Sequence, residues 1–120
     1  MRLYSFEKLD VWNLSRKLTE DIYRISRMFP DDEKFGLISQ IRRAAISVSS
    51  NIAEGGSRKS GKDQARFTEI AYGSLLEILS QLIVASDLEF ITEDTILEQR
   101  PLIEEIGNKL NKLKEAQLKR

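Results

Sequence analysis

The 120-residue chain contains no cysteine, no histidine and only two prolines. Without cysteine it has no disulfide framework and no thiolate metal site, a composition that fits a reducing, cytoplasmic setting. Without histidine the common zinc and di-iron constellations lose their imidazole ligands, including the Glu-x-x-His pairs of ferritin-like bundles, and most serine nucleophiles lose their usual base. No metal and no other cofactor is expected. The longest uncharged run, Ala44 to Ala53, falls far short of the ~20 apolar residues of a membrane span, and Glu7 and Lys8 charge the first turns. Neither a signal peptide nor a membrane helix is expected. Convergent carboxylates are missing too: Glu104 and Glu105 are neighbours in sequence, so on a helix they point about 100° apart. No catalytic residue is assigned, and an enzyme is the least favoured class.

With 41% hydrophobic and 32% charged residues, the chain reads as one soluble globular domain, residues 1–120, with a single core. Apolar residues recur at steps of three and four in four places and almost nowhere alternate, which predicts an all-α chain. The first helix is expected from about Phe6 to Met28, with Val11, Leu18, Ile22 and Ile25 inward; Pro30 and Asp31 end it and cap the next. The second spans roughly Asp32 to Glu54, with Ile38, Ile41, Ala45, Val48 and Ile52 as its stripe and Gly55-Gly56 as a left-handed stop. The third runs from about Lys62 to Asp87. The fourth runs from about Glu93 to Leu118, with Ile96, Ile103, Ile106, Leu110 and Leu113 inward, and Pro101 either kinks it or marks its true start. Short connections near 29–31, 56–61 and 88–92 predict an antiparallel, up-down-up-down four-helix bundle.

The third helix is apolar on two sides. Phe67, Ala71, Ser74, Ile78, Leu82 and Ala85 form one stripe; Tyr72, Leu76, Leu79 and Ile83 form another about 130° away, at 100° per residue. One stripe suffices for a lone bundle, so the second predicts either a widened core or a seam against another copy of the chain, the seam being favoured.

Net charge is zero, yet residues 38–66 hold six basic and two acidic side chains, and residues 77–105 hold one basic and eight acidic. The basic part, QIRRAAISVSSNIAEGGSRKSGKD (Gln40 to Asp63), supports three readings. Gly56 to Lys62 match the Gly-x-x-x-x-Gly-Lys of a phosphate loop, but Asp63 stands where Ser or Thr should hold magnesium, and a helix precedes where a strand should. Arg42, Arg43, Arg58, Lys59, Lys62 and Arg66 would make a sequence-independent phosphate-tracking patch, which a ring of copies would multiply. Arg43, Ser47, Ser50 and Glu54 fall on one stripe whose small centre permits close helix approach and whose charged ends can pair within the chain or across a seam. A plain solvated face is the bland alternative for each charge run.

Three segments, LDVWNLSRKL, FPDDEKFGLISQIRRAAISVSSNIAEG and FTEIAYGSLLEILSQLIVASDL, together resemble the bacterial four-helix-bundle proteins encoded within 23S ribosomal-RNA intervening sequences. The residues that carry the pattern are Phe35, Gly36, Leu37, Gln40, Arg42, Arg43, Ala44, Ser47, Asn51, Ile52, Ala53, Glu54, Gly55 and Arg58. The resemblance implies an antiparallel bundle that assembles as a ring-like homopentamer without established enzyme activity. A similar fold serves as the accessory protein of diversity-generating retroelements, where a basic barrel engages nucleic acid and the reverse transcriptase; this chain departs from that type in its neutral charge and sequence pI near 6.4. Two functions are therefore weighed: an oligomer that binds RNA, or DNA, through the basic patch, and a protein-interaction scaffold or accessory subunit that touches no nucleic acid. No membrane partner is expected.

Overall fold

The computed structural model describes residues 1–120 and contains four long helices and no strand. These are α1 (Asp10–Ser26), α2 (Leu37–Gly55), α3 (Gly61–Asp87) and α4 (Glu93–Leu118), with short 3-10 turns at Ser5–Lys8 and Asp31–Glu33. Each helix packs on the next, and α1 also touches α4. The 27 residues of α3, about 40 Å at 1.5 Å per residue, run most of the 45 Å long axis of the molecule. One cluster of 20 buried residues, contributed by all four helices, forms the core.

The inward residues expected of α1 are all buried, as are those of the first stripe of α3. In α2, Ile41, Ala45, Val48 and Ile52 are buried while Ile38, the second residue of the helix, is half-covered; in α4 only Leu113 of the expected five is half-covered. By length and composition α3 is long and apolar enough to cross a membrane. Its apolarity has a local cause, since Ala71, Leu75, Ile78, Leu82 and Ala85 all lie in the core.

Three local expectations are corrected. The chain before Asp10 is not part of α1: a 3-10 turn forms there, with the Tyr4 N–H donating to the Glu7 carboxylate at 2.7 Å. Likewise α2 begins at Leu37 rather than Asp32, because the Glu33 carboxylate folds forward and accepts from the Leu37 N–H at 3.0 Å. A Cβ at Gly36 would stand 2.8 Å from that same oxygen, so glycine there leaves room for the cap. Finally, Gly55 and Gly56 do not stop α2 in a left-handed conformation; no glycine has a positive φ. The left-handed residue is Glu89, at φ 63°, where the Phe90 N–H donates back to the Ala85 carbonyl at 2.9 Å and closes α3. A side chain in that region costs roughly 1 kcal/mol. Glu89→Gly is therefore expected to raise the unfolding free energy by about that amount, read from the midpoint of a urea titration.

Pro101 does not start α4, which is continuous from Glu93 through it. The two ends of the bundle are tied differently. At one, the Phe29 and Phe90 rings meet at 5.8 Å between centroids, joining the α1–α2 and α3–α4 connections. Nearer the other, the buried Thr68 hydroxyl donates to the buried Gln117 side-chain oxygen at 2.7 Å. Lys109 of α4 lies 2.9 Å from the Asp10 carboxylate at the start of α1; that hydrogen bond and charge hold its ammonium above the ordinary lysine range.

Candidate nucleic-acid interface

The turn between α2 and α3 is organised by its own polar atoms. Ser57 donates its hydroxyl to the Glu54 carbonyl at 2.7 Å, the Arg58 N–H reaches the Gly55 carbonyl, and the Ser60 hydroxyl accepts from the Asp63 N–H at 3.1 Å to cap α3. Gln64 holds the Arg58 carbonyl at 2.9 Å, and Arg120 from the chain end reaches the Gln64 side chain. Gly61 is buried against α4, where a Cβ would fall 2.0 Å from the Gln117 carbonyl oxygen.

This geometry removes the phosphate-loop reading. A helix precedes the turn, Gly61 faces the end of α4, and the Asp63 carboxylate is turned toward the very cations that a phosphate would need. Arg66 contacts Asp63 at 3.1 Å, and Arg58 lies 3.7 Å from Glu54 and 4.0 Å from Asp63. At 4.0 Å the Arg58 Nε makes no hydrogen bond to Asp63, and it has no other partner. Both guanidiniums lie over the buried Phe67 ring, each 4.5 Å from its centroid. Such stacking on an aromatic face, added to the ion pairs, holds Arg58 and Arg66 as parts of the turn.

The six cations expected as one patch occupy two places. Arg42 and Arg43 sit early in α2, about 18 Å along the helix from its end at Gly55 at 1.5 Å per residue. The Arg42 Nε donates to the Ser26 hydroxyl at 2.8 Å, and its guanidinium lies 4.5 Å over the Tyr23 ring, so this side chain staples α2 to the end of α1. Arg43, Lys59 and Lys62 are exposed and make no ion pair or side-chain hydrogen bond. Lys59 and Lys62 thus form the unpaired cationic tip of the turn, next to Arg58 and the exposed Arg66, which are paired and stacked on Phe67.

The stripe of Arg43, Ser47, Ser50 and Glu54 is divided by the fold. Ser47 and Ser74 share a hydrogen bond of 2.7 Å between α2 and α3, and the Asn51 amide donates to the Ser47 hydroxyl at 3.0 Å. Glu54 pairs with Arg58, while Ser50 and Arg43 remain at the surface. Along the second stripe of α3, Tyr72 and Leu79 are half-buried against the chain's own core, and Leu76 and Ile83 are 47% and 38% exposed. The stripe is therefore shared between a widened core and open surface.

Sequence reasoning passed over Tyr23, placed Phe67 in the inward stripe of α3 without its two stacked guanidiniums, and used Phe35 only as part of a motif. Phe35 is 90% exposed, the most open aromatic side chain of the molecule. A signal was available: Phe35 lies between Lys34 and Gly36, outside the apolar period of either neighbouring helix.

A family model described as "23S rRNA-intervening sequence protein" matches residues 7–112, all but six residues at the start and eight at the end. The chain belongs to that family. No curated protein matches it.

Proposed function

From its membership of the 23S rRNA-intervening sequence protein family, we propose that this chain is a single non-enzymatic domain, residues 1–120, which assembles into a cytoplasmic homo-oligomeric ring and holds RNA through exposed cations. We read the bundle as antiparallel, supported by contacts that run in opposite senses along consecutive helices. Ser26 at the end of α1 meets Arg42 early in α2, and Thr19 meets Ala45 further along; Gly55 at the end of α2 meets Phe67 near the start of α3. A pentamer is the stoichiometry that the resemblance implies. The exposed Leu76 and Ile83 of α3 support self-assembly, since contiguous apolar surface on a soluble chain is commonly covered by a partner.

The observation that carries the RNA reading is the pair Lys59 and Lys62, unpaired and exposed over a turn that Arg58, Phe67 and Arg66 make rigid. A rigid turn spares the backbone part of the ordering cost when the two flexible ammonium side chains meet phosphate, and each copy in a ring would add its own tip. Nothing in the turn offers base-edge recognition, so the contact is sequence-independent. The combined Lys59→Glu, Lys62→Glu variant is expected to weaken binding to single-stranded and structured RNA alike. It should also flatten the slope of log affinity against log salt by about one unit for each phosphate that the variant no longer neutralises. Unchanged affinity and slope in the variant would remove the tip as the grip.

The net charge of zero and the exposed apolar stripe favour a second reading, a protein-interaction scaffold or accessory subunit without RNA contact. Absence of RNA binding by the wild-type protein at low salt would select it.

A further inference from the structure

Two exposed features at the same end of the bundle lack a partner within the chain. The first is Phe35 with its surroundings. Its ring stands clear of the α1–α2 connection, the Lys34 ammonium lies 5.5 Å from the ring centroid, and an open groove beside it includes Ile38, Ile46 and the unpaired Arg43. The second is a cavity of about 270 Å³ between the end of α3 and the start of α4. Its apolar wall is Ile83, Ile96 and Leu97; Asp87, Glu93 and one cation, Arg100, belong to its polar lining. Leu97 is 61% exposed, and Ile83 belongs to the uncovered stripe of α3.

We propose that Phe35 of one copy inserts into the α3–α4 cavity of a second copy, head to tail, with Lys34 and Arg43 facing that copy's Asp87 and Glu93. This rests on the self-assembly reading above and names the surfaces that meet. The space suffices for a phenyl ring: the cavity of about 270 Å³ opens to solvent on one side and offers Ile83, Ile96 and Leu97 as an apolar wall. The groove beside the knob is lined by Lys34, Arg42 and Arg43 without a carboxylate, the acidic run Asp31, Asp32 and Glu33 preceding it on the connection, and the cavity sets Asp87 and Glu93 against one cation, Arg100. The cavity is also continuous with the apolar stripe of α3, so one contact covers both. An exposed phenyl ring and an exposed leucine each gain from leaving water together.

The placement of the two features bears on the form of the assembly. The knob is on the α1–α2 side and the cavity on the α3–α4 side, so the contact is heterologous and each joined pair keeps one free knob and one free cavity. Both features sit at the end marked by the Phe29–Phe90 contact. Successive copies are then related mainly by rotation, with little shift along the helices, the condition under which a head-to-tail series closes instead of growing as a filament.

Light scattering of the full chain at micromolar concentration tests the contact. Wild type is expected at a multiple of 13.8 kDa, whereas Phe35→Glu and Leu97→Glu should each fall to 13.8 kDa with unchanged helical circular dichroism. Mixed in equal amounts they should form a dimer of twice that mass, because one retains the cavity and the other the knob. Wild type at 13.8 kDa would overturn the self-assembly reading and this contact with it. An assembled wild type with either variant at full mass would overturn the contact alone, and a mixture without dimer would overturn its head-to-tail form. Loss of RNA retention in Phe35→Glu at wild-type mass would make Phe35 a base-stacking platform and equally end the proposal. Should a carboxylate disturb folding, Phe35→Ala and Leu97→Ala replace the pair, each expected to weaken assembly at least tenfold.

Discussion

Leu82→Ala is expected to lower the unfolding free energy by about 2–5 kcal/mol, the range for truncating a fully buried leucine. Leu82 is 0% exposed and sits in the main cluster with residues from all four helices. The loss combines the transfer free energy of the removed carbons with the cost of a void that four packed helices cannot close. Against a total stability of roughly 5–15 kcal/mol for a domain, this is enough to move a urea midpoint clearly. Leu76→Ala removes the same atoms six residues earlier on the same helix, about 120° away round its axis, where the side chain is 47% exposed. That substitution should change stability of the single chain by less than about 0.5 kcal/mol and act instead on molecular mass. Equal losses of stability from both would contradict the division of α3 into an inner and an outer face.

Gly61→Ala is expected to cost about 1–3 kcal/mol, the range for overpacking a close contact. Alanine ordinarily favours a helix over glycine by up to about 1 kcal/mol, so propensity alone predicts a gain. The structure reverses the sign. The added Cβ would lie 2.0 Å from the Gln117 carbonyl oxygen, a backbone atom that no rotamer change can move. The least costly response is release of the last turn of α4, which gives up the Thr68–Gln117 hydrogen bond and the Arg120–Gln64 hydrogen bond. A net hydrogen bond is worth about 1 kcal/mol, more where a buried group is left unpaired, and this limits the cost. Amide exchange should therefore quicken at residues 115–118 in the variant while the amides of Ile78 and Leu82 stay protected. A variant more stable than wild type would show that propensity wins and that the two helix ends part freely.

These two substitutions also mark how far the sequence could be read. The core position of Leu82 follows from the three-and-four spacing, because every α-helix repeats near 3.6 residues whatever it packs against. The burden on Gly61 was not legible. It depends on Gln117, 56 residues further along the chain, and glycine beside serine and lysine looks like an ordinary loop. The same reason explains the start of α2, where an acidic run suited a helix N-terminus but the Glu33 carboxylate caps Leu37 instead. It explains the stop of α3 at Glu89, a residue type that seldom takes a left-handed conformation. At the candidate interface, charge counting found six cations and could not divide them, since ion pairing and aromatic stacking depend on which side chains the folded helices bring together.

The chain's amino acids determined on their own that this is an all-α protein of four helices, because periodicity is a local property of the backbone, and their motifs pointed to its family. Their lack of cysteine and histidine likewise narrowed the chemistry, because a missing side chain cannot be supplied by folding. Tertiary structure alone decided which cations are free. Arg42 is held by Tyr23 and Ser26, and Arg58 and Arg66 by Phe67 and Asp63, while Arg43, Lys59 and Lys62 are left to solvent. It decided as well that Phe35 and the Ile83–Leu97 cavity share one end of the bundle, since neither burial nor proximity between distant residues is written in local spacing.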